Sequence, residues 1–282
     1  MVEIHNFNHA AMATHFQVRI ASDDKGYASQ AAQAAFDLVD SLESHLSRFR
    51  PDSDIARIAD LAPGETMRLS DPAFDCLQVA KSMDEATGSA FCPTPAALKT
   101  QPCLPQWNLL PEEHSILLVS GRLEFDLGAI GKGFALDRIA ALLQDWDCSC
   151  FLLVAGGSSI LAGDQPEGHP GWSCGLGEDD SSQRILLTHA SLSGSGLAVK
   201  GNHILDPRTG QPALRQNRAW VLADTASESD ALSTACMVLS ESEIQEVLAQ
   251  NDSWLAFLQT GDSVLSVGSR ISPIEGHDGR SR

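Results

Sequence analysis

Apolar residues recur at helical spacing over residues 27–46, where Ala32, Ala35, Phe36, Val39, Leu42 and Leu46 fall on one face, and this pattern predicts an amphipathic helix. Ahead of it, residues 15–21 (HFQVRIA) alternate as a half-buried strand does, and Asp23-Asp24-Lys25-Gly26 supplies the turn. Leu69-Ser70-Asp71-Pro72 joins a cap to a proline and opens a second helix, which runs to about Glu85 with Phe74, Leu77 and Ala80 inward. Between the two helices the polar stretch 47–61 is broken by Pro51, with Ser53 or Asp54 capping a short turn. Segment 89–95, small and proline-rich, reads as an ordered loop or a strand edge, and 99–113, with Pro102, Pro105 and Pro111, as a flexible excursion.

The second half is organised around Leu123 to Arg138. It reads as a strand ending in Asp126, a turn containing Gly128, Gly131 and Gly133, and a helix with Ala135, Ile139, Leu142 and Trp146 at helical spacing. The apolar run 151–155 predicts a buried strand closed by Gly156-Gly157, where backbone or ligand comes close. The acidic stretch 163–182 is expected to be a surface loop with one short strand around Trp172, and 184–189 a strand. Ser191 to Gly196 reads as a small-residue loop, and 203–210 as an extended piece entering a Pro/Gly turn. Strand 219–223, helices 227–239 and 241–250, and a hairpin of 255–259 with 263–267 complete the pattern before a polar tail from Glu275. Neither repeat nor linker divides the chain, which is expected to be one domain over 1–282, with at most two closely joined lobes.

Charge narrows the functions open to such a domain. Thirty-seven acidic against nineteen basic residues leave −18, which argues against non-specific binding to nucleic acid or anionic membrane. A phosphate-bearing ligand must therefore be held locally, by a few donors or a bound cation. The seven cysteines include no CxxC pair, and Cys148-x-Cys150 fits small buried side chains, so the expected compartment is reducing and cytoplasmic. No leader pattern opens the sequence and no apolar run approaches membrane-spanning length.

Three features carry candidate chemistry. The glycine-rich turn of Gly128, Gly131 and Gly133, with Lys132 in it, is either a phosphate cradle or a plain connection, and it matches neither GxxxxGK[ST] nor GxGxxG. Asp230 and Thr234, four apart on a helix, could present two oxygens to Mg²⁺ or Ca²⁺; otherwise Asp230 is solvated and Thr234 bonds back to a carbonyl. His203 beside Asp206 is a general base or a strand-end histidine. No GxSxG elbow occurs, and Cys92 has no neighbouring His or Lys to activate it.

In their order these pieces resemble the ApbE family, the FAD:protein FMN transferases. The resemblance is carried by Met12-Ala-Thr14, Leu46-Ser-Arg-Phe49 with Ser53, Gly88-x-Ala90-Phe91-x-Pro93-Thr94, Asp126-Leu-Gly-Ala-Ile-Gly-Lys132-Gly-Phe-Ala-Leu-Asp137, Gly156-Gly157, Ser193-Gly194, His203-Ile-Leu-Asp-Pro-Arg-Thr-Gly210 and Asp230-Ala-Leu-Ser-Thr234. It implies an α+β fold with mixed, largely antiparallel sheets and packed helices, binding FAD between two lobes with Mg²⁺ on the pyrophosphate. It further implies transfer of FMN onto a Thr or Ser hydroxyl of an acceptor flavoprotein, with release of AMP. Met12, Ala90, Phe91, Cys92, Asp126, Lys132 and Ile204 would contact FAD; the Ala129 carbonyl, Asp230 and Thr234 would hold the metal; Asp230 and His203 would serve catalysis, His203 by helping to deprotonate the acceptor hydroxyl. Departures from the family pattern stand at Ala13 (usually Gly), Ala59 (Asn), Cys92 (Asp) and Ser158 (Asp). The alternatives are a flavin carrier that lacks transfer and a hydrolase that splits FAD to FMN and AMP.

Overall fold

The computed structural model describes residues 2–99, 103–176, 183–196, 206–211, 213, 216–261 and 263–269. Along the chain these form β1 (Glu3–Ala11), β2 (Thr14–Ser22), α1 (Lys25–Leu46), α2 (Asp54–Ile58), β3 (Thr66–Arg68), α3 (Asp71–Ala86), β4 (Gln106–Leu110), β5 (Ser115–Ser120), α4 (Gly131–Asp145), β6 (Phe151–Ala155), β7 (Ser159–Ala162), β8 (Trp172–Gly175), β9 (Arg184–Leu187), β10 (Ala190–Gly196), β11 (Arg218–Ala223), α5 (Ala226–Val238), α6 (Glu241–Leu248), β12 (Leu255–Thr260) and β13 (Ser263–Gly268). The result is an α+β fold.

An open sheet of eight strands, in the order β1-β2-β6-β7-β10-β11-β12-β13 and antiparallel at every step, forms the middle layer. Its central strands are apolar on both faces because both faces are covered. In β6, Phe151, Leu153 and Ala155 join the larger core beneath α1, α4 and α5, whereas Leu152 joins a second cluster. In β11, Val221 and Leu222 divide the same way. The second cluster is closed by the two-stranded sheet β8-β9 through Trp172, Cys174, Ile185 and Leu187. A three-stranded sheet, β3-β5-β4, lies beside α3, where Lys81 Nζ donates to the Trp107 carbonyl at 3.2 Å.

Local chemistry sets the helix boundaries. Asp24, Ser53 and Ser70 each accept from a backbone N–H in the first turn of α1, α2 and α3, as N-caps do. Three expectations are overturned. Residues 191–196 are not a loop but the core of β10, hydrogen-bonded between β7 and β11; their small side chains are what lets α5 lie close against the strand. The excursion expected at 99–113 contains β4 and a 3-10 turn at Pro111–Glu113, because its prolines bound the strand rather than interrupt it; residues 100–102 lie outside the described residues. Among the described residues no strand ends in Asp126: Leu123, Phe125 and Leu127 are buried alternately, but the segment has no ladder partner there, and the Asp126 N–H bonds to the Pro93 carbonyl at 2.8 Å. Strands β1, β3, β5 and β7 carry no sequence expectation; β1 is an edge strand whose inward positions include His5 and Ala11. The tail from Glu275 lies outside the described residues.

Candidate functional site

The helices α4 and α5 start side by side, and each is capped by a carboxylate of the other. Asp137 of α4 accepts from the backbone N–H of Ala226 and Ser227, at 2.7 and 2.9 Å, and from the Ser227 hydroxyl. Asp230 of α5 accepts from the Gly133 N–H at 3.2 Å, near the start of α4. Such carboxylates satisfy donors that a helix N-terminus leaves unpaired and sit favourably in its dipole. The approach requires Gly133: a Cβ there would lie 2.1 Å from the Ala226 carbonyl oxygen.

Asp230 is buried, 3% exposed, so it is not the solvated residue that one sequence reading allowed. Its Oδ1 accepts from Ser159 Oγ at 3.1 Å and lies 3.3 Å from Lys132 Nζ; its Oδ2 lies 3.1 Å from the same ammonium. Lys132 Nζ also donates to the Gly128 carbonyl at 3.1 Å. Thr234 bonds back to the Asp230 carbonyl at 3.4 Å, as the other half of that reading expected, and its hydroxyl is 3.2 Å from Ser195 Oγ on β10. The hydroxyls of Ser193 and Ser229, and of Ser195 and Ser233, continue this polar seam between β10 and α5.

Two turns form the adjoining rim. Met12 and Ala13, with φ of 50° and 56°, make the two-residue turn between β1 and β2. Gly156 and Gly157 follow β6 with positive φ, and a Cβ on Gly156 would lie 2.8 Å from Thr14 Oγ1 and 3.5 Å from Lys132 Cδ. Beyond Gly128, whose N–H bonds to Asp126 Oδ1 at 3.0 Å, Asp126 meets Arg48 at 3.1 Å. Pro93 ties the 90–94 loop to this point. Ala90, Phe91 and Cys92 are buried there, Phe91 at 1% exposure, so Phe91 offers almost no surface to a ligand. Burial pushes the Cys92 thiol above its ordinary range, against two hydrogen bonds from Thr94.

Of the residues singled out by sequence, the fold thus joins Lys132 to the Asp230 carboxylate, with Thr234 on the Asp230 carbonyl, and links Asp126 to the loop of Ala90, Phe91 and Cys92; Met12 lies in the turn that leads into Thr14. Ala129 lies in the turn just before α4. His203 and Ile204 lie outside the described residues. Arg48, Ser159, Ser195 and Asp137 were not singled out as site residues, although Arg48 and Asp137 lie in segments that carry the family resemblance; their partners come from segments far apart in the chain. Among the described residues no group of three or more His, Cys, Asp or Glu side chains could hold a metal. A cation here would rest on one carboxylate and neutral oxygens, a set suited to Mg²⁺, and the Lys132 ammonium stands beside that carboxylate.

The fold is shared with solved proteins. It superposes on the Flavin Transferase ApbE from Vibrio cholerae with a TM-score of 0.82 at 18% identity, covering 95% of this chain and 98% of that one. It superposes on the Pseudomonas stutzeri flavinyl transferase ApbE, apo form, with 0.82 at 21% identity, covering 94% of each. The ApbE family model matches residues 12–258, and the chain belongs to that family. A relative named FAD:protein FMN transferase from Klebsiella pneumoniae (strain 342) is 24% identical over 312 residues, covering 96% of this chain and 95% of the relative. The chain spans less than half the length of two other relatives of that name: 39% of a second one from K. pneumoniae (28% identity over 44% of this chain) and 48% of one from Escherichia coli K12 (27% identity over 54%). No helix among the described residues is long and apolar enough to cross a membrane.

Proposed function

We propose that the protein is an FAD:protein FMN transferase, acting on a Thr or Ser hydroxyl of an acceptor flavoprotein in the cytoplasm. The observation that carries this reading is the cluster of Lys132, buried Asp230 and Thr234 at the start of α4 in a chain of the ApbE family. In the transfer, the bond between the FMN phosphorus and the bridging oxygen of FAD breaks, a P–O bond to the acceptor hydroxyl forms, AMP leaves, and the hydroxyl proton passes to a base, for which His203 is the candidate. Chemistry of this kind depends on positioning and charge stabilisation rather than on covalent participation by the protein. Lys132 offsets pyrophosphate charge, while the turns at Met12 and Gly156 bring backbone close to the nucleotide. Bound Mg²⁺, held by the Ala129 carbonyl, Asp230 and Thr234, would supply further neutralisation of the phosphates.

Incubation of the protein with FAD and Mg²⁺, with and without an acceptor peptide, separates the possibilities by AMP, FMN and peptide mass. The expected result is a peptide heavier by FMN together with stoichiometric AMP. FMN and AMP without a labelled peptide would instead mean hydrolysis, and flavin binding without either product a carrier.

A further inference from the structure

We infer that the Lys132 ammonium occupies the cation position of this site in the chain alone, and that it competes with the metal until a phosphate-bearing ligand draws it away. This rests on the function proposed above and adds a device to it: metal and nucleotide bind interdependently because one lysine must leave the metal's carboxylate for the nucleotide's phosphates.

The argument begins with the lone pairs of Asp230. An ionised carboxylate offers about four acceptor positions. Here Oδ1 meets Ser159 Oγ and Lys132 Nζ, and Oδ2 meets the Gly133 N–H and Lys132 Nζ, so all four are engaged. A divalent cation can bind this carboxylate only by displacing a donor. Gly133 N–H is main chain in a helix that Asp137 locks to α5, and Ser159 lies on the central strand β7 with no exposed surface. Lys132 alone is free to go, being partly exposed, at 20%, on a flexible four-carbon stem. Its stem runs past Gly156, within contact distance of where a Cβ there would stand. Leaving unassisted would strand an ammonium beside a dication; leaving for a pyrophosphate exchanges one anionic partner for another.

The test uses the whole protein and Mn²⁺ as a spin-active probe, titrated with and without FAD and followed by electron paramagnetic resonance. Lys132→Met keeps the stem and removes the charge. Without FAD it should bind Mn²⁺ at least about tenfold more tightly than the unmodified protein, and the factor by which FAD strengthens Mn²⁺ binding should fall correspondingly. Lys132→Arg, which keeps a cation, should leave Mn²⁺ binding weak, and Asp230→Asn should abolish it. If Lys132→Met does not fold, Lys132→Gln is read in the same way. Mn²⁺ affinity unchanged in the neutral variants, with FAD-assisted Mn²⁺ binding intact in the unmodified protein, would overturn the competition and leave the proposed function standing. No Mn²⁺ binding to the unmodified protein even with FAD would overturn both.

Discussion

Ala13 occupies the second central position of a two-residue hairpin turn in which both residues have positive φ, a geometry that favours glycine or asparagine. An alanine in the left-handed region costs about 1–2 kcal/mol, part of which glycine returns through the freedom of its unfolded chain, so Ala13→Gly should raise stability by about 0.5–1 kcal/mol. A higher urea midpoint at unchanged slope would register it. Gly133 is the opposite case. With a Cβ at 2.1 Å from the Ala226 carbonyl, Gly133→Ala must push α4 off α5. The expected cost is about 3 kcal/mol or more, read from the same unfolding curves. Cys92 tests burial against accessibility: its thiol is raised by desolvation, whereas Cys103 is exposed. Iodoacetamide at neutral pH should label Cys103 well before Cys92, as peptide mass mapping would show. Asp230 was legible as an oxygen donor four residues before Thr234, but its burial was not. The groups that satisfy it are 71 and 98 residues away in sequence.

Elements were readable where one segment held all the information. Helices α1 and α3 announce themselves by caps and a one-sided apolar face, and β6, β11 and β12 by apolar runs. Strand β10 was not readable, because Ser-Leu-Ser-Gly-Ser-Gly pairs only when β7 and β11 lie on either side. The alternation at 123–127 was real, yet alternation records a buried face and not a hydrogen-bonded neighbour. The turn after residue 205 shows how two elements can be fastened by charge. Arg208 bonds Asp206 through Nε and Nη2, both at 3.0 Å, and Glu243 of α6 through Nη1 at 2.7 Å. Glu243 is also the partner of Ser240 in the capping box of α6, and hydrogen bonds from Ser240, then Arg208, hold its carboxyl down at about 2. A folded value below the unfolded one stabilises the protein fully above the ordinary carboxylate range, about 4.3, and the contribution fades as pH falls through about 2. The stability gap between the unmodified protein and Glu243→Gln should therefore be widest near neutrality and close on acidification, in chemical unfolding measured at a series of pH values.

For the molecule as a whole, an eight-stranded sheet buried on both faces at its centre and open at β1 and β13 sets a gradient of local stability. Amides of β6, β7, β10 and β11 should exchange with solvent most slowly, and those of β13, exposed at five of its six residues, among the fastest in the sheet. Hydrogen exchange read by mass spectrometry would rank them. The reciprocal capping of α4 and α5 has a further consequence, in time rather than in space. Asp137 and Asp230 tie together segments separated by about a third of the chain, and Gly156 adds the hairpin at the beginning of it through the His15 carbonyl. Contacts between such distant segments are slow to form, because the intervening loop must close before they return any energy. A chain emerging from the ribosome can complete α1 and the β1-β2 hairpin early, but it cannot complete the Lys132–Asp230 site until α5 has arrived. If the proposed function holds, recovery of flavin binding during refolding should follow the docking of α5 rather than the formation of the β1-β2 hairpin.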